Sequence, residues 1–226
     1  MDNDLKLMQF RTLTKFKNQK VNPTQEKIIN RALELFNLSG IEYVGMRELA
    51  ADLGMRIGNL TYYFPTKDDL VFSLSQAYTA SNTQIHIDLP VKSLYDFLNK
   101  NVQLFENGLK YQCLMLSMVH LMERNTRIAT NYQNVIQDRT SGLVQDISLL
   151  EENKYVKFGT EDDKLLIVSS NSLQNRFWFS EAVLSGSRLD LASQMKHYLR
   201  MKAHLFRPYA TNKGVEDIER FLGELG

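Results

Sequence analysis

Apolar residues recur at helical spacing along most of this chain, and the interruptions between them carry recognisable helix starts and stops. Ile28, Ile29, Ala32, Leu33 and Phe36 form one stripe. Asn22-Pro23-Thr24-Gln25 opens it, with Asn22 as N-cap, Pro23 at N1 and Gln25 at N3 completing a capping box, and Gly40 closes it. A linker over residues 41–45 leads into two shorter stripes, Leu49, Ala50, Leu53 and Ile57, Leu60, Tyr63, Phe64, separated by Gly54, where a helix can end in a left-handed residue. Two short helices joined by a glycine turn make a helix-turn-helix. Such a unit cannot bury its own core, so it needs the preceding helix and a following one, which Thr66 with Asp69 caps and Leu70, Val71, Leu74, Ala77 and Tyr78 stripe.

Beyond Tyr78 the pattern becomes plain amphipathic helix. Residues 81–90 break it. Residues 93–109 place Leu94, Phe97, Leu98, Val102 and Phe105 on one side, while residues 111–122 are apolar nearly all round, predicting a fully buried helix. A long helix is predicted over 125–152, a loop over 153–160, then helices over 161–184 and 189–206 joined by Ser185-Gly186-Ser187 and stopped by Pro208. Val215, Ile218, Leu222 and Leu225 predict one more. The fold class is therefore all-α: an N-terminal extension (1–21), a three-helix helix-turn-helix head (22–80), and a C-terminal helical bundle (81–226).

The run TQEKIINRALELFNLSGIEYVGMRELAADLGMRIGNLTYYFPTKDDL resembles the N-terminal domain of the TetR/AcrR repressor family in spacing and residue type. The matching features are Leu35-Phe36 before a glycine, Leu49-Ala50, Gly54, Gly58, Leu60, and Tyr63-Phe64 with Lys67 three residues on. The resemblance implies a recognition helix of about residues 57–63 entering the major groove of double-stranded DNA. It also implies that the last two long helices form a two-fold homodimer interface, and that the C-terminal half encloses a small-molecule effector pocket. The chain departs from the family pattern at Arg56, where relatives place a small hydroxyl residue, and at Thr61, where they often have a tyrosine.

Arg56 has a physical reading of its own. As an N-cap it cannot accept the orphan N–H groups, forfeiting about 1 kcal/mol, and its charge meets the positive end of the helix dipole. A neighbouring phosphate reverses that sign, and Lys67 at the next helix start poses the same problem with the same answer. Arg56 and Lys67 are thus expected to clamp DNA backbone, with Tyr62 or Tyr63 adding hydroxyl contacts; the alternative is two solvated charges. Asn59 suits a bidentate adenine contact or a role in closing the helix start, the Thr61 methyl suits thymine, and Gly58 admits close approach. Arg47 is a phosphate or base-edge contact by family position, or a surface ion pair. Residues 1–21, with five basic residues against Asp2 and Asp4, are either a frayed tail or a groove-touching arm.

In the C-terminal half, Met115, Met118, Met122, Tyr132, Phe177 and Trp178 suit a pliant apolar pocket, although such stripes are ordinarily core, and His120 reads as a core histidine or a ligand contact. Leu166, Leu173, Phe177, Val183, Leu191, Met195 and Leu199 exceed what one bundle face needs, and a dimer would use the surplus.

Charge sharpens where a nucleic acid can bind. Net charge is +1, with ten Lys+Arg against nine Asp+Glu in residues 1–80 and seventeen of each in the remainder, so contact must come from a local patch. The single cysteine, Cys113, excludes an intrachain disulfide and suits a reducing compartment. The opening MDNDLK carries no apolar signal region and no run reaches the ~20 apolar residues of a spanning helix, so a cytoplasmic protein without membrane association is expected. Phosphate loops, H-E-x-x-H and nucleophile elbows are missing from the sequence, and His197 and His204 stand seven apart without a nearby cysteine. No catalytic residue, metal or cofactor is expected. The leading expectation is a dimeric, effector-released repressor; a helical DNA-binding protein without effector and an enzyme with its site in the C-terminal half are the competing classes.

Overall fold

The computed structural model describes residues 22–186 and 190–226; the expected N-terminal extension, and part of the junction between the last two long helices, lie outside them. Among the described residues the chain is helices joined by short loops, with one isolated antiparallel bridge between Val156 and Ala210. It divides into two compact units after Gln84.

The first unit contains α1 (Pro23–Ser39), α2 (Met46–Asp52), α3 (Ile57–Tyr63) and most of α4 (Lys67–Asp88). Ile28, Ala32, Leu33 and Phe36 of α1 are buried with Ile41, Val44, Leu49, Ala50, Leu60, Phe64, Leu70, Val71 and Leu74, so the predicted stripes do form one core. Asn22 caps α1, but its Oδ1 accepts from the N–H of Thr24 at 2.8 Å. The expected box with Gln25 is not made, because the cap oxygen takes the nearer donor. Gly54 adopts φ +66°, a left-handed turn that a side chain disfavours, and lets the Met55 N–H close onto the Ala50 carbonyl at 2.9 Å. Arg31 of α1 adds a two-pronged clamp on the Asp52 carboxylate, donating from Nη2 at 2.8 Å and also from Nε.

Helix α4 does not break at residue 81. Thr83 donates its hydroxyl to the Thr79 carbonyl at 3.0 Å and Asn82 is buried, so the polar residues that interrupt the stripe are absorbed within the helix, which stops only before Pro90.

The second unit comprises α5 (Leu94–Lys110), α6 (Gln112–Arg124), α7 (Thr126–Glu152), α8 (Glu161–Ser185), α9 (Leu191–Phe206), a 3₁₀ turn at Arg207–Tyr209, and α10 (Asn212–Leu225). Side-chain caps set several starts: Ser93 with Asp96, Asn125 on Ile128, Thr160 with Asp163, and Thr211 on Gly214. Where α10 begins, a side chain at Gly214 would meet the Tyr155 carbonyl oxygen at 2.1 Å, so only glycine permits that approach.

Two features of this unit depart from the sequence pattern. Helix α6 is not fully buried: Cys113, Leu114 and Met115 are, whereas Leu116, Val119 and His120 are exposed. It packs one side on α5, α7 and α8, and an all-round apolar composition could not reveal which side that was. Leu199, expected in the dimer surplus, is fully enclosed within its own chain. No helix among the described residues is long and apolar enough to cross a membrane.

Candidate nucleic-acid interface

Helix α3 turns most of its surface outward. Of its seven residues only Leu60 is buried, anchoring it to the core; Ile57, Gly58, Asn59 and Tyr62 are exposed, and Thr61 and Tyr63 are half-buried. Arg56 is the N-cap, in extended backbone, and its side chain makes no capping hydrogen bond. Among the described residues neither Arg56 nor Arg47, which is exposed at the front of α2, has an ion-pair partner, so the surface ion pair considered for Arg47 is not formed.

Outside its own helix backbone and chain neighbours, Gly58 has no atom of the described residues within 4 Å of where a Cβ would stand, and its φ is not positive. Nothing within the described fold therefore requires glycine, which in a helix costs roughly 0.5–1 kcal/mol relative to alanine. Thr61 turns its hydroxyl inward, donating to the Ile57 carbonyl at 3.1 Å and the Gly58 carbonyl at 3.3 Å. That bond occupies the polar group and leaves the methyl as its uncommitted part. Tyr62 is 81% exposed and meets Tyr63 edge-on, with ring centroids 5.1 Å apart. Asn59 joins the first turn through its backbone N–H, which donates to the Arg56 carbonyl at 2.9 Å.

Lys67 departs from a simple solvated cation. At the start of α4, where Thr66 and Asp69 form a reciprocal cap, its ammonium donates to the Glu42 carbonyl at 3.3 Å and lies 5.8 Å from the centre of the Phe36 ring. Burial lowers its pKa from the ordinary lysine value, and the charges of Glu42, Asp68 and Glu48 oppose that shift. The side chain is thus held in one place by the linker that precedes α2.

Two family models cover almost all of the described chain. Residues 28–74 match the tetR-family model of bacterial regulatory proteins, and residues 73–218 match the TetR model described as a bacterial transcriptional repressor. The chain belongs to the TetR family of bacterial regulatory proteins. It is a DNA-binding transcriptional regulator, in a family whose members are generally non-enzymatic. The HTH-type transcriptional regulator SAB2452 of Staphylococcus aureus is 24% identical over 198 residues, spanning 87% of this chain and 95% of the relative. Among solved structures, a TetR-family transcriptional regulator from Marinobacter aquaeolei superposes with a TM-score of 0.81 at 20% identity, covering 90% of this chain and 99% of that one. The TetR family protein CprB from S. coelicolor gives 0.63 at 18% identity, covering 90% and 96%. These likenesses bear out the all-α fold with its helix-turn-helix head.

The effector-pocket residues expected of a TetR-family C-terminal half do not all share one environment. Met115 and Trp178 are buried, Met118, Met122 and Tyr132 are half-buried, and His120 and Phe177 are exposed. His120 is therefore neither a core histidine nor part of an enclosed lining in the single chain. Phe177 falls on the outer side of α8, while its neighbour Trp178 stacks flat on Phe105 of α5 at 4.5 Å. The chain's most unusual interior group was not singled out from the sequence. Lys202 is fully buried on α9, bonded to Asn171 of α8. Its position in the buried set Tyr198, Leu199, Lys202, Ala203, Phe206 is the signal that could have found it.

Proposed function

We propose that this TetR-family regulator is a homodimeric repressor that reads double-stranded DNA through α2 and α3 and is released from its operator by a small-molecule effector. The observation that carries DNA contact is Arg56: an exposed cation at the N-cap of α3, without side-chain capping bond or acidic partner among the described residues. A phosphate supplies the missing anion. Arg47 contributes a second cation without an acidic partner among the described residues. Lys67 offers its remaining N–H groups to the backbone from the position that the Glu42 carbonyl holds. Tyr62 and Tyr63 add hydroxyl contacts, Asn59 reads adenine, and the Thr61 methyl meets thymine. Gly58 lets the helix come close to the base edges.

The dimer reading is supported by α8. Leu166, Leu173, Phe177 and Leu184 are 58%, 58%, 39% and 87% exposed, and Leu165 on the same helix and Met201 on α9 add to the uncovered apolar surface. A two-fold pairing of α8 and α9 covers them and sets two recognition helices about one DNA turn, ~34 Å, apart. The repressor sense is supported by the description of the model that residues 73–218 match. Effector binding then favours a state whose heads no longer fit the half-site spacing, lowering DNA affinity. The experiment is a footprint of the full chain on the DNA upstream of its own gene. A protected pseudo-palindrome with half-sites one turn apart is expected, and protection without two-fold symmetry would contradict the reading.

A further inference from the structure

Among the described residues, the interior between α8 and α9 contains a buried cation whose hydrogen bond runs to a neutral group, and α8 carries two buried acceptors without donors. Lys202 has no exposed surface, and the hydrogen bond it makes runs to a neutral group, Nζ donating to the Asn171 Oδ1 at 2.9 Å. Asn171 is itself fully buried and fixed, its Nδ2 donating to the Ile167 carbonyl at 2.9 Å, so its oxygen is oriented toward the lysine. Phe105 lies 5.6 Å from the ammonium, and Trp178 stacks on that ring with interplanar angle 2°. About one turn further along α8, Gln174 Oε1 and Asn175 Oδ1 are buried with no hydrogen-bond partner. Positions 171, 175 and 178 are spaced by four and three along the helix and so share one face, which Gln174, three on from Asn171 and four before Trp178, borders.

Buried polar groups in folded proteins are almost always paired, and a buried ammonium with a neutral partner carries a desolvation penalty that the pair does not offset. A partner that satisfied these groups would carry one negative charge and at least one donor, beside an aromatic wall. We propose that this face and Lys202 form the subsite for a small organic carboxylate bearing a hydroxyl or N–H group. The carboxylate pairs with Lys202 in a charge-assisted bond, the donor satisfies Gln174 or Asn175, and the apolar body packs on Trp178 and Phe105. This rests on the effector-released reading above and names the chemical class of the effector.

Binding also moves a proton. Burial alone pulls the Lys202 pKa down to about 7, with no charged neighbour contributing. A bound carboxylate favours the ammonium, so proton uptake accompanies binding at slightly alkaline pH.

Trp178 is the chain's only tryptophan and reports on this wall directly. The test titrates the full chain with benzoate, 3-hydroxybenzoate and the neutral 3-hydroxybenzamide, following Trp178 emission, with calorimetry in two buffers of different ionisation enthalpy. The expected result is 3-hydroxybenzoate binding at least about ten-fold more tightly than its amide, with proton uptake at pH 8. Lys202→Met should stay folded, removing a buried charge at similar volume, and should erase both the preference and the uptake. Gln174→Leu and Asn175→Leu should also stay folded, and at least one should abolish the advantage of 3-hydroxybenzoate over benzoate. The proposal is overturned if none of the three compounds perturbs Trp178, or if Lys202→Met keeps the carboxylate preference. DNA binding measured alongside separates the two levels: a carboxylate that binds at Trp178 without releasing DNA contradicts the effector reading alone. A neutral compound that releases DNA equally from wild type and Lys202→Met contradicts the subsite alone.

Discussion

Lys67 Nζ donates to the Glu42 carbonyl oxygen at 3.3 Å, tying the first residue of α4 to the linker that enters α2. This bond braces the head, and under the proposed function the same lysine also presents charge to DNA. Lys67→Met separates them. The methionine keeps much of the packing near Phe36, so stability should change by less than about 1 kcal/mol in a urea titration. DNA affinity should fall, and its dependence on salt should flatten, as it does whenever one fewer phosphate is neutralised.

Gly58 permits a test with opposite signs. Because no atom of the described chain outside its own helix backbone and neighbours approaches its Cβ position, Gly58→Ala should stabilise the protein, by up to roughly 0.5–1 kcal/mol from helix propensity. The same methyl group should weaken operator binding by about ten-fold or more, on the order of 1.4 kcal/mol. Denaturation and anisotropy on the same preparations check both signs, and a variant that gains stability without losing affinity would remove Gly58 from the interface.

Lys202 predicts an alkaline rise in stability. Folding depresses its pKa to about 7, while the unfolded chain keeps the ordinary lysine value of 10.5. Between those values the unfolded chain binds the extra proton, so stability increases with pH across that window, by at most about 1.4 kcal/mol per unit. Below pH 7 both states are protonated and the full penalty of the buried charge remains. Thermal unfolding of wild type and Lys202→Met between pH 6.5 and 9.5 should therefore converge as pH rises, with the variant more stable at the acid end.

The outer side of α8 predicts the oligomeric state. Leu173 is 58% exposed in the single chain, so Leu173→Glu should leave each chain folded while placing a charge in the proposed two-fold interface. Sedimentation should show a dimer for wild type and a monomer for the variant. Operator affinity should fall steeply, since one half-site replaces two.

The head was legible in the sequence because its signals are local. Gly54 marks a turn by backbone conformation, Thr66 and Asp69 mark a cap by spacing of three, and each is realised as read. Arg56 stood out by violating the same local rules. What could not be read depends on neighbours distant in sequence. Lys100 is buried because it meets Asp146, 46 residues away on α7, and burial raises the aspartate pKa while the lysine charge lowers it. Leu199 and Phe177 look alike as stripe residues, yet one is enclosed and the other faces outward. His120 is exposed in the single chain for the same reason, since helical spacing defines a face without saying what covers it. Residues 174, 175 and 202 carry polar side chains in positions that the pattern alone would have filled with apolar ones.

The claim that Arg56 holds DNA backbone is the one on which the regulator reading turns. Anisotropy of a labelled duplex from upstream of the gene, titrated with wild type and Arg56→Ala between about 50 and 200 mM salt, measures the slope of log affinity against log salt. Each phosphate that a cation neutralises contributes roughly 0.9 to that slope, so removing one Arg56 from each protomer of a dimer should flatten it by about 1.8. Specific and random DNA should weaken alike. An unchanged slope would contradict the claim.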